Sequence, residues 1–278
     1  ALDAGKHVFV EKPLATTTED AAAIIEAAER NGKTVQVNFS QRWLPDYAYI
    51  KKAIEAGEIG TPQFVVSTKR DTIFVPTGMI PWAASTSPAF FMTSHDLDLI
   101  RWFTGQEPAT VVAHETRGVL ESKGVDAHDS LQALVRFDGG LSASFSTAWI
   151  HPTTYPMVAE DKLEIVGTEG VIEYHSRHRR LELHNGVGAR TIEFSSIATA
   201  TEMNGKLVGG FTDSCHHFRD SLLAGVQPST AATDSTLAVA CRRRCSSPRE
   251  TAVVSSTSLA EPHPPLTLIQ HHQSKGTP

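Results

Sequence analysis

The stretch KHVFVEKPLATTTEDAAAIIEAAERNGKTVQVNF, residues 6–39, decides the fold. Its first residues, 6–10, form a short and mostly apolar run that is typical of a buried parallel strand. A hydroxyl cap at Thr17 and the helical spacing of the alanines and isoleucines after it predict a helix, which Asn31-Gly32 ends. Residues 34–39 have the pattern of a second strand. Strand, helix and strand in this order make a βαβ unit, which implies a parallel sheet.

The remainder of the chain has a different pattern. Short strand-like segments follow one another, several of them joined by glycine turns such as Asp138-Gly139-Gly140. This pattern predicts a large, mainly antiparallel sheet. Helices are predicted at 45–56, 94–103 and 212–223. The predicted strands are 63–69, 110–115, 130–137, 141–149, 162–166, 171–174, 181–184 and 191–194.

Three segments are therefore expected along the chain. Residues 1–43 carry the parallel unit, and residues 44–240 carry the large open sheet with its flanking helices. The fold class is α/β with an α+β C-terminal part. Residues 241–278 contain five prolines and ten serines or threonines but no aromatic residue, so this segment is predicted to be a disordered tail.

Composition and charge limit the possible partners. The chain has 278 residues, of which 40% are hydrophobic and 20% charged, as in a globular protein with a real core. A net charge of -6 gives no general attraction to nucleic acid or to an anionic membrane, so neither partner is expected. Cys215, Cys241 and Cys245 are too few and too clustered for a disulfide framework. A reducing, cytoplasmic location is the expectation.

The first candidate site is Glu11-Lys12-Pro13, directly after the first strand. Ligands of open parallel sheets bind beyond the carboxyl ends of the strands. A lysine at that place can act as a general acid or base if desolvation lowers its pKa toward neutrality. A cis bond into Pro13 would fix its direction. The alternative is a solvated lysine at the end of a strand beside its acidic neighbour.

The second candidate site is the predicted helix that begins near Ser94. Helical spacing places His95, Asp98 and Trp102 along one side. The positive end of the helix dipole disfavours an imidazolium in the first turn, so a neutral His95 is expected. Such a histidine can accept or relay a proton. Asp96 and Asp98 suit the same turn as partners of the dipole, and a buried structural histidine is the alternative.

Two further motifs carry weaker indications. Arg42 and Trp43 follow the second strand and should face the same ligand site at the carboxyl ends of the parallel strands. There an arginine could bind a phosphate, and an indole could pack against a flat ring. A surface arginine over an aromatic residue is an equally good interpretation. Cys215-His216-His217 lies on a predicted helix with no matching ligand pair elsewhere, so no metal site is expected. The sequence contains no G-x-G-x-x-G turn between a strand and a helix.

Taken together, these motifs resemble the Gfo/Idh/MocA family. The run AGKHVFVEKPLA (4–15) looks like the signature of that family. VNFSQR (37–42), GEIG (57–60) and the spacing of His95, Asp98, Arg101 and Trp102 follow in the family's order, and EIVGTEG (164–170) is similar to its sheet. The resemblance covers roughly residues 1–240, and the ordered set is more specific than any one motif.

The resemblance implies both a fold and a function. The fold is an NAD(P)-binding Rossmann domain, of which residues 1–43 are the C-terminal remnant, followed by a substrate and oligomerisation domain. The implied activity is hydride transfer between NAD or NADP and a hydroxyl or carbonyl carbon of a sugar, inositol or similar polyol, in a homo-oligomer formed through the open sheet. Lys12 matches the catalytic lysine and His95 the catalytic histidine. Glu11, Lys12 and Arg42 are expected at the cofactor, and Lys12 and His95 at the substrate. Apart from the resemblance, the polarity of Arg70-Asp71 indicates that this pair shapes the substrate pocket, with Arg70 as a substrate contact.

Two departures from the family pattern matter. Many members carry an aspartate four residues before the histidine, where this chain has Phe91. The role of that carboxylate is expected to pass to Asp98 or Asp96. A family member would also have about 70–80 residues before Ala1, with the glycine turn that holds the pyrophosphate. We therefore expect an N-terminally truncated chain with weak or no cofactor affinity.

Two other classes of function compete with this reading. One is a non-catalytic interaction or oligomerisation module that uses the face of the open sheet and lacks the dinucleotide site. The other is a metal-dependent hydrolase that uses Cys215 and the histidines. Tight dinucleotide binding favours the oxidoreductase, an obligate oligomer without nucleotide binding favours the module, and sensitivity to chelators favours the hydrolase.

Overall fold

The first unit of the structure is the predicted parallel pair. The computed structural model describes residues 1–194, 201–232 and 252–253. In it, β1 (Val8–Glu11) pairs in parallel with β2 (Val35–Asn38), and α1 (Thr18–Arg30) connects the two strands. The Thr17 hydroxyl caps α1 by accepting the backbone N–H of Asp20 at 3.1 Å. The βαβ unit predicted from residues 6–39 is confirmed.

The second unit is a large sheet. Its nine strands lie in the order β10-β9-β8-β7-β3-β6-β5-β4-β13, and every neighbouring pair is antiparallel except β3 and β6. The predicted large and mainly antiparallel sheet is confirmed, whereas a small separate hairpin of β11 and β12 was not predicted. The strands are β3 (Pro62–Thr72), β4 (Pro108–Thr116), β5 (Ser130–Phe137), β6 (Ser142–His151), β7 (Ala159–Gly167), β8 (Gly170–His175), β9 (Arg180–Asn185), β10 (Gly188–Glu193), β11 (Thr201–Met203), β12 (Lys206–Val208) and β13 (Ala252–Val253).

Two helices cover one face of this sheet. They are α2 (Pro45–Glu55) and α3 (Ser94–Thr104), close to the predicted 45–56 and 94–103. Fully buried residues of both helices, among them Ile50 and Ile100, belong to the same apolar core as the inward side chains of the strands. Burial of such side chains is the main favourable contribution to this packing. Side chains that point from the strands toward these helices are therefore shielded from water.

No described helix covers the other face of the sheet. Strand residues alternate between the two faces, so the neighbours of buried Val65 on β3 point outward. Large apolar side chains on this face stay exposed: Phe64, Val66, Val112 and Leu134. This is the open sheet expected from the sequence.

The fourth helix, α4 (Gly210–Ala224), packs against the first unit although it follows the large sheet in sequence. The ring of Phe9 lies 5.7 Å from that of Phe218. The division into 1–43, 44–240 and 241–278 stays a prediction, with the addition that α4 contacts the parallel strands. Of the predicted tail, only β13 is described; it pairs with β4, and the rest lies outside the described residues.

Two segments before α3 are π-helical turns, Val75–Met79 and Ala89–Thr93. The second runs directly into α3 and carries Phe91. Such turns are rare and often lie at functional sites, and the sequence pattern did not indicate them. Among the described residues, no helix is both long and apolar enough to cross a membrane.

Gly167, at the end of β7, gives a test of the packing in this sheet. A Cβ at this position would lie 2.1 Å from the backbone oxygen of Ile59. We expect Gly167→Ala to lower the free energy of unfolding by about 1–3 kcal/mol, because the backbone must move to relieve the overlap. Gly186→Ala is the matched control, since its Cβ would meet nothing within 4 Å. Urea unfolding measures both, and equal stability of the two variants would contradict the packing described here.

Candidate active site

Lys12 follows β1 directly and lies at the carboxyl end of the parallel pair. The Lys12–Pro13 peptide bond is cis. The Lys12 ammonium donates to the backbone oxygen of Phe91 at 2.5 Å and lies 4.6 Å from the centre of the Phe91 ring. Burial lowers the pKa of Lys12 to about 8, although the charge of Glu11 opposes this shift. Lys12 is therefore a partly buried amine that can change its protonation state near neutral pH, rather than a solvated lysine.

His95 begins the first turn of α3 close to Lys12. Its ring meets Phe39 edge to face, with 6.2 Å between ring centres. Burial, and then the positive charges of Lys12 and Lys69, hold the pKa of His95 well below its usual range. This supports the neutral His95 expected from the sequence. The structure gives burial and two nearby lysines as the causes of the lowered pKa, whereas the sequence analysis invoked the helix dipole. Within the described residues, the buried Nδ1 of His95 has no hydrogen-bond partner.

A second lysine, Lys69 on β3, lies at the centre of an ion cluster behind these residues. Its Nζ lies 2.9 Å from Asp161 Oδ2 and 3.3 Å from Asp96 Oδ1. Burial alone would lower the pKa of Lys69, but the two carboxylates outweigh it and raise the pKa to about 12. Lys69 therefore stays charged. The sequence analysis did not identify Lys69 or Asp161.

Asp161 is held by several groups at once. Its Oδ2 accepts from the Tyr47 hydroxyl at 2.9 Å and from Gln41 Nε2 at 3.1 Å, in addition to its ion pair with Lys69. These donors come from α2, from the turn after β2 and from β3. The carboxylate thus joins three elements of the fold and is fixed in place.

Asp96 and Asp71 are buried carboxyl groups with unusual protonation. Burial raises the pKa of Asp96 to about 7, although Lys69 lowers it, and its Oδ2 has no partner among the described residues. Burial also raises the pKa of Asp71 to about 7, with a further increase from Asp161, while Lys69 and Lys12 oppose it. Asp96, expected as a possible supporting acid, is thus in the cluster and bound to Lys69.

Asp98, the other expected supporting acid, has a different partner. Arg42 donates from Nε to Asp98 Oδ2 at 2.8 Å and from Nη2 to Oδ1 at 2.6 Å. Arg42 Nη1 also donates to the backbone oxygen of Ser229 at 2.7 Å. A two-point pair of this kind is strong and directional. Both side chains are therefore engaged with each other, and a cofactor contact of Arg42 stays a prediction.

Glu11 lies with Asn38 at the ends of β1 and β2. Its Oε1 accepts from Asn38 Nδ2 at 2.6 Å. Asn38 Oδ1 is buried and has no hydrogen-bond partner in the described part of the chain. A buried acceptor of this kind is costly unless a ligand satisfies it. The carboxyl end of the parallel pair thus offers an acceptor that a donor group of a ligand could satisfy.

The structure does not bring Arg70 to Lys12 and His95. On β3, Lys69 and Asp71 point toward the helices, so Arg70 between them points to the open face of the sheet. There its guanidinium donates to Ser146, with 2.7 Å from Nη2 to the Ser146 hydroxyl. The structure therefore does not place Arg70 where a substrate contact was expected. Side chains alternate along the strand, so Lys69 and Asp71 point inward and Arg70 points outward.

A metal site at Cys215 receives no geometric support. In the part of the chain that the structure describes, the group with suitably placed ligand atoms is Glu173, Glu182 and His184. These residues lie on the large sheet and do not include Cys215 or its neighbouring histidines.

Comparisons with known proteins identify the family and the fold of this chain. Residues 1–39 match the family described as "Oxidoreductase family, NAD-binding Rossmann fold", and residues 47–173 match the "GFO/IDH/MocA C-terminal domain". The scyllo-inositol 2-dehydrogenase (NAD(+)) of Bacillus subtilis is 28% identical over 243 residues, which are 85% of this chain and 66% of that protein. The 1,5-anhydro-D-fructose reductase of Ensifer adhaerens is 33% identical over 175 residues, which are 61% of this chain and 50% of that protein.

Solved structures show the same fold. A levoglucosan dehydrogenase in complex with NADH has a TM-score of 0.73 at 24% identity, covering 88% of this chain and 72% of that chain. The myo-inositol 2-dehydrogenase of Lactobacillus plantarum has a TM-score of 0.69 at 23% identity, covering 88% and 73%. This chain spans 66% of the length of the Bacillus relative and 50% of the Ensifer relative. With both of its sequence segments matched and its fold reproduced, the chain belongs to the Gfo/Idh/MocA family of oxidoreductases.

Proposed function

We propose that the protein carrying this chain is an NAD(P)-dependent oxidoreductase that moves a hydride to or from a hydroxyl or carbonyl carbon of a sugar, inositol or similar polyol. The observation that carries this proposal is the partly buried Lys12, with a pKa of about 8, beside a neutral His95 at the carboxyl end of two parallel strands. Open parallel sheets bind nucleotides and their substrates at this edge. The polyol-converting relatives support the substrate class.

Lys12 handles the proton of the reaction. In the oxidising direction the neutral amine takes the hydroxyl proton while the C–H electron pair leaves with the hydride. In the reducing direction the ammonium returns a proton to the carbonyl oxygen. A group with a pKa near the working pH is suited to both directions. The hydrogen bond from Nζ to Phe91 O holds the amine in position between turnovers.

His95 supplies a neutral hydrogen-bonding group. Because its ring stays uncharged at neutral pH, it can bind a substrate hydroxyl without repelling the Lys12 ammonium. Its unpartnered Nδ1 gives one place for such a bond. His95 therefore orients the substrate oxygen toward the lysine.

The cofactor is NAD or NADP, and its nicotinamide supplies or accepts the hydride. Glu11 and Asn38 would meet it at the ends of β1 and β2, because Asn38 Oδ1 is a buried acceptor without a partner in the described residues. Arg42 is proposed as a further residue near the cofactor because it follows β2. The glycine turn that holds a pyrophosphate in such folds is not part of this sequence.

Assembly and location are part of the same proposal. The exposed apolar side chains on the open sheet, Phe64, Val66, Val112 and Leu134, favour a homo-oligomer formed through this face. The small number of cysteines favours the cytoplasm.

The test is a titration of NADH and NADPH followed by energy transfer from tryptophan to the nicotinamide, then a polyol and sugar screen. Micromolar binding with turnover of a polyol would support the proposal. The titration uses the full-length protein that carries this chain, because residues 1–278 lack the glycine turn for the pyrophosphate. A folded, oligomeric full-length protein that binds neither nucleotide up to millimolar concentration would refute the proposal and favour the interaction module.

A further inference from the structure

We propose that Trp82 is a specificity-determining residue, and that its ring and the ring of Phe91 form a wall on which the C–H face of a cyclic substrate packs while the reacting hydroxyl meets Lys12. We call these two rings the aromatic wall. The inference rests on the proposed function of the same site and deepens it. It names the substrate class as a six-membered sugar or cyclitol ring, in preference to an open-chain polyol.

The first support is a row of aromatic rings that begins at Lys12. The Lys12 Nζ lies 4.6 Å from the centre of the Phe91 ring. The Trp82 ring follows, with 5.9 Å between the ring centres of Trp82 and Phe91 and an angle of 61° between the ring planes. Trp82 is therefore one ring away from the candidate catalytic amine. A substrate whose hydroxyl reaches Nζ can lie against both rings.

The second support is that the aromatic wall is fixed from behind. The Phe91 ring packs against Trp149, with 5.8 Å between ring centres, and Trp149 is fully buried. The Trp149 Nε1 donates to the backbone oxygen of His128 at 2.6 Å, which holds this indole in place. A binding surface that is already ordered before the ligand arrives loses little entropy on binding.

The third support is the exposure of Trp82. Its side chain is 51% exposed, although the residue directly after it, Ala83, is buried. The apolar core under this segment includes Ala83 and Trp149 but not Trp82. Packing of the core therefore does not account for an indole at this position. A large exposed aromatic ring beside a candidate site is typical of a ligand-binding surface.

The chemistry of the wall differs from that of the other groups at the site. Aromatic faces carry partial negative charge and attract the slightly positive C–H groups of a ring. The hydrogen-bonding groups come from other elements, among them His95 on α3 and Glu11 after β1. A cyclic polyol has C–H groups on its faces and hydroxyls along its edge, which matches this division. An open-chain polyol has no continuous apolar face, and packing its hydroxyls against the rings would remove water from them without a hydrogen bond in return.

The first experiment measures binding to the full-length protein that carries this chain, saturated with NADH, by isothermal titration calorimetry. The cyclic probe is scyllo-inositol, in which every hydroxyl is equatorial, and the open-chain probe is sorbitol. The wild type should bind scyllo-inositol more tightly than sorbitol. Trp82→Ala should weaken scyllo-inositol binding about 5- to 30-fold and leave sorbitol binding unchanged. Equal affinities of the wild type for the two probes would overturn the inference.

Two further variants separate the aromatic ring from mere apolar bulk. Trp82→Phe keeps an aromatic face and should retain most of the affinity for scyllo-inositol. Trp82→Leu keeps an apolar side chain without that face and should lose most of it. Full affinity in Trp82→Leu would contradict packing on an aromatic face.

Phe74→Ala is the matched control, because Phe74 is also an exposed aromatic residue, at 47%, of the segment between β3 and α3. A Cβ at Gly78 would meet the Phe74 ring at 2.8 Å, so this ring packs over Gly78. Phe74→Ala should leave the binding of both probes unchanged. Equal weakening by Phe74→Ala and Trp82→Ala would assign the effect to a disturbed segment and overturn the inference.

The nicotinamide is the other flat ring that could occupy the wall. Titration of NADH alone tests this, since Trp82→Ala should leave the Kd of NADH unchanged. A loss of NADH affinity as large as the loss for scyllo-inositol would assign the indole to the cofactor. A changed oligomeric state with unchanged binding of both ligands would assign it to a contact between protein chains. Either result would overturn the inference.

The second experiment measures kcat and KM for the cyclic and the open-chain substrate that the wild type oxidises fastest. Trp82→Ala should raise KM about 5- to 30-fold for the cyclic substrate alone and keep kcat within about twofold, because the wall binds substrate and transition state alike. If the wild type turns over a polyol and Trp82→Ala keeps its KM, the inference fails and the proposed function stands. If the wild type turns over no substrate, the proposed function fails and calorimetry still decides whether the wall binds a ring.

Discussion

Replacement of Lys12 by methionine should lower kcat by about 1,000-fold, while the protein stays folded. General acid–base groups contribute about 100- to 10,000-fold to such reactions, and no neighbouring amine can replace this one because Lys69 is held by Asp96 and Asp161. Methionine fits the buried and largely apolar place beside the Phe91 ring. Steady-state kinetics in both directions measure the effect.

Lys12→Arg separates charge from proton transfer. The guanidinium keeps the positive charge but cannot lose a proton at any useful pH. We expect it to be nearly as inactive as Lys12→Met in oxidation, where a free base is needed. Lys123→Met, at an exposed position, is the matched control and should keep the wild-type rate. Substantial oxidation by Lys12→Arg would show that positive charge alone is enough and would refute the role of Lys12 as a base.

Local patterns predicted the elements and two of the site residues. The βαβ unit, the helix at His95 and most strands follow from periodicities that span only a few residues. Lys12 and His95 could be proposed as site residues because each lies next to the end of a regular element, where ligands commonly bind. The neutral state of His95 was also predicted, but its main causes are burial and two lysines that meet it only in the folded chain.

The ion cluster could not be predicted in the same way. Lys69 and Asp161 lie far apart in sequence, on β3 and β7, and only the register of these two strands makes them opposite neighbours. One signal was present: the inward positions of β3 become polar at Ser67 and Lys69. Without knowledge of which positions of that strand face inward, the polar pair Arg70-Asp71 could not be divided into an inward and an outward residue. A shift of one residue along a strand moves a side chain to the other face.

The assignment of Asp98 was limited by the same lack of long-range information. Helical spacing correctly placed Asp98 and His95 on related faces of α3, but it could not show that Arg42 would occupy the carboxylate. The π-helical turn that carries Phe91 had no sequence pattern either, and it sets where the lysine finds its backbone acceptor. Sequence therefore predicted the residues of a candidate site, and the folded chain determined their contacts.

Replacement of Lys69 by methionine should have the largest effect on stability. Lys69 is 3% exposed and neutralises Asp96 and Asp161, which would be left as buried carboxylates without their cation. Breaking a buried ion pair on one side costs about 3–5 kcal/mol. We expect a loss of this size in the free energy of unfolding at pH 8, measured with urea. Lys52→Met, on the exposed side of α2, is the matched control and should change stability little.

The dependence on pH and a compensating variant test the cause of this loss. Lowering the pH to about 5 should reduce the cost of Lys69→Met, because the unpaired carboxyl groups then take up protons in the folded state. The triple variant with Asp96→Asn and Asp161→Asn should recover most of the stability at pH 8, since no buried charge remains. A loss that is the same at both pH values and persists in the triple variant would contradict the electrostatic origin. It would mean instead that Lys69 stabilises β3 by packing its aliphatic chain, and that the protonation of Asp96 is set by burial alone.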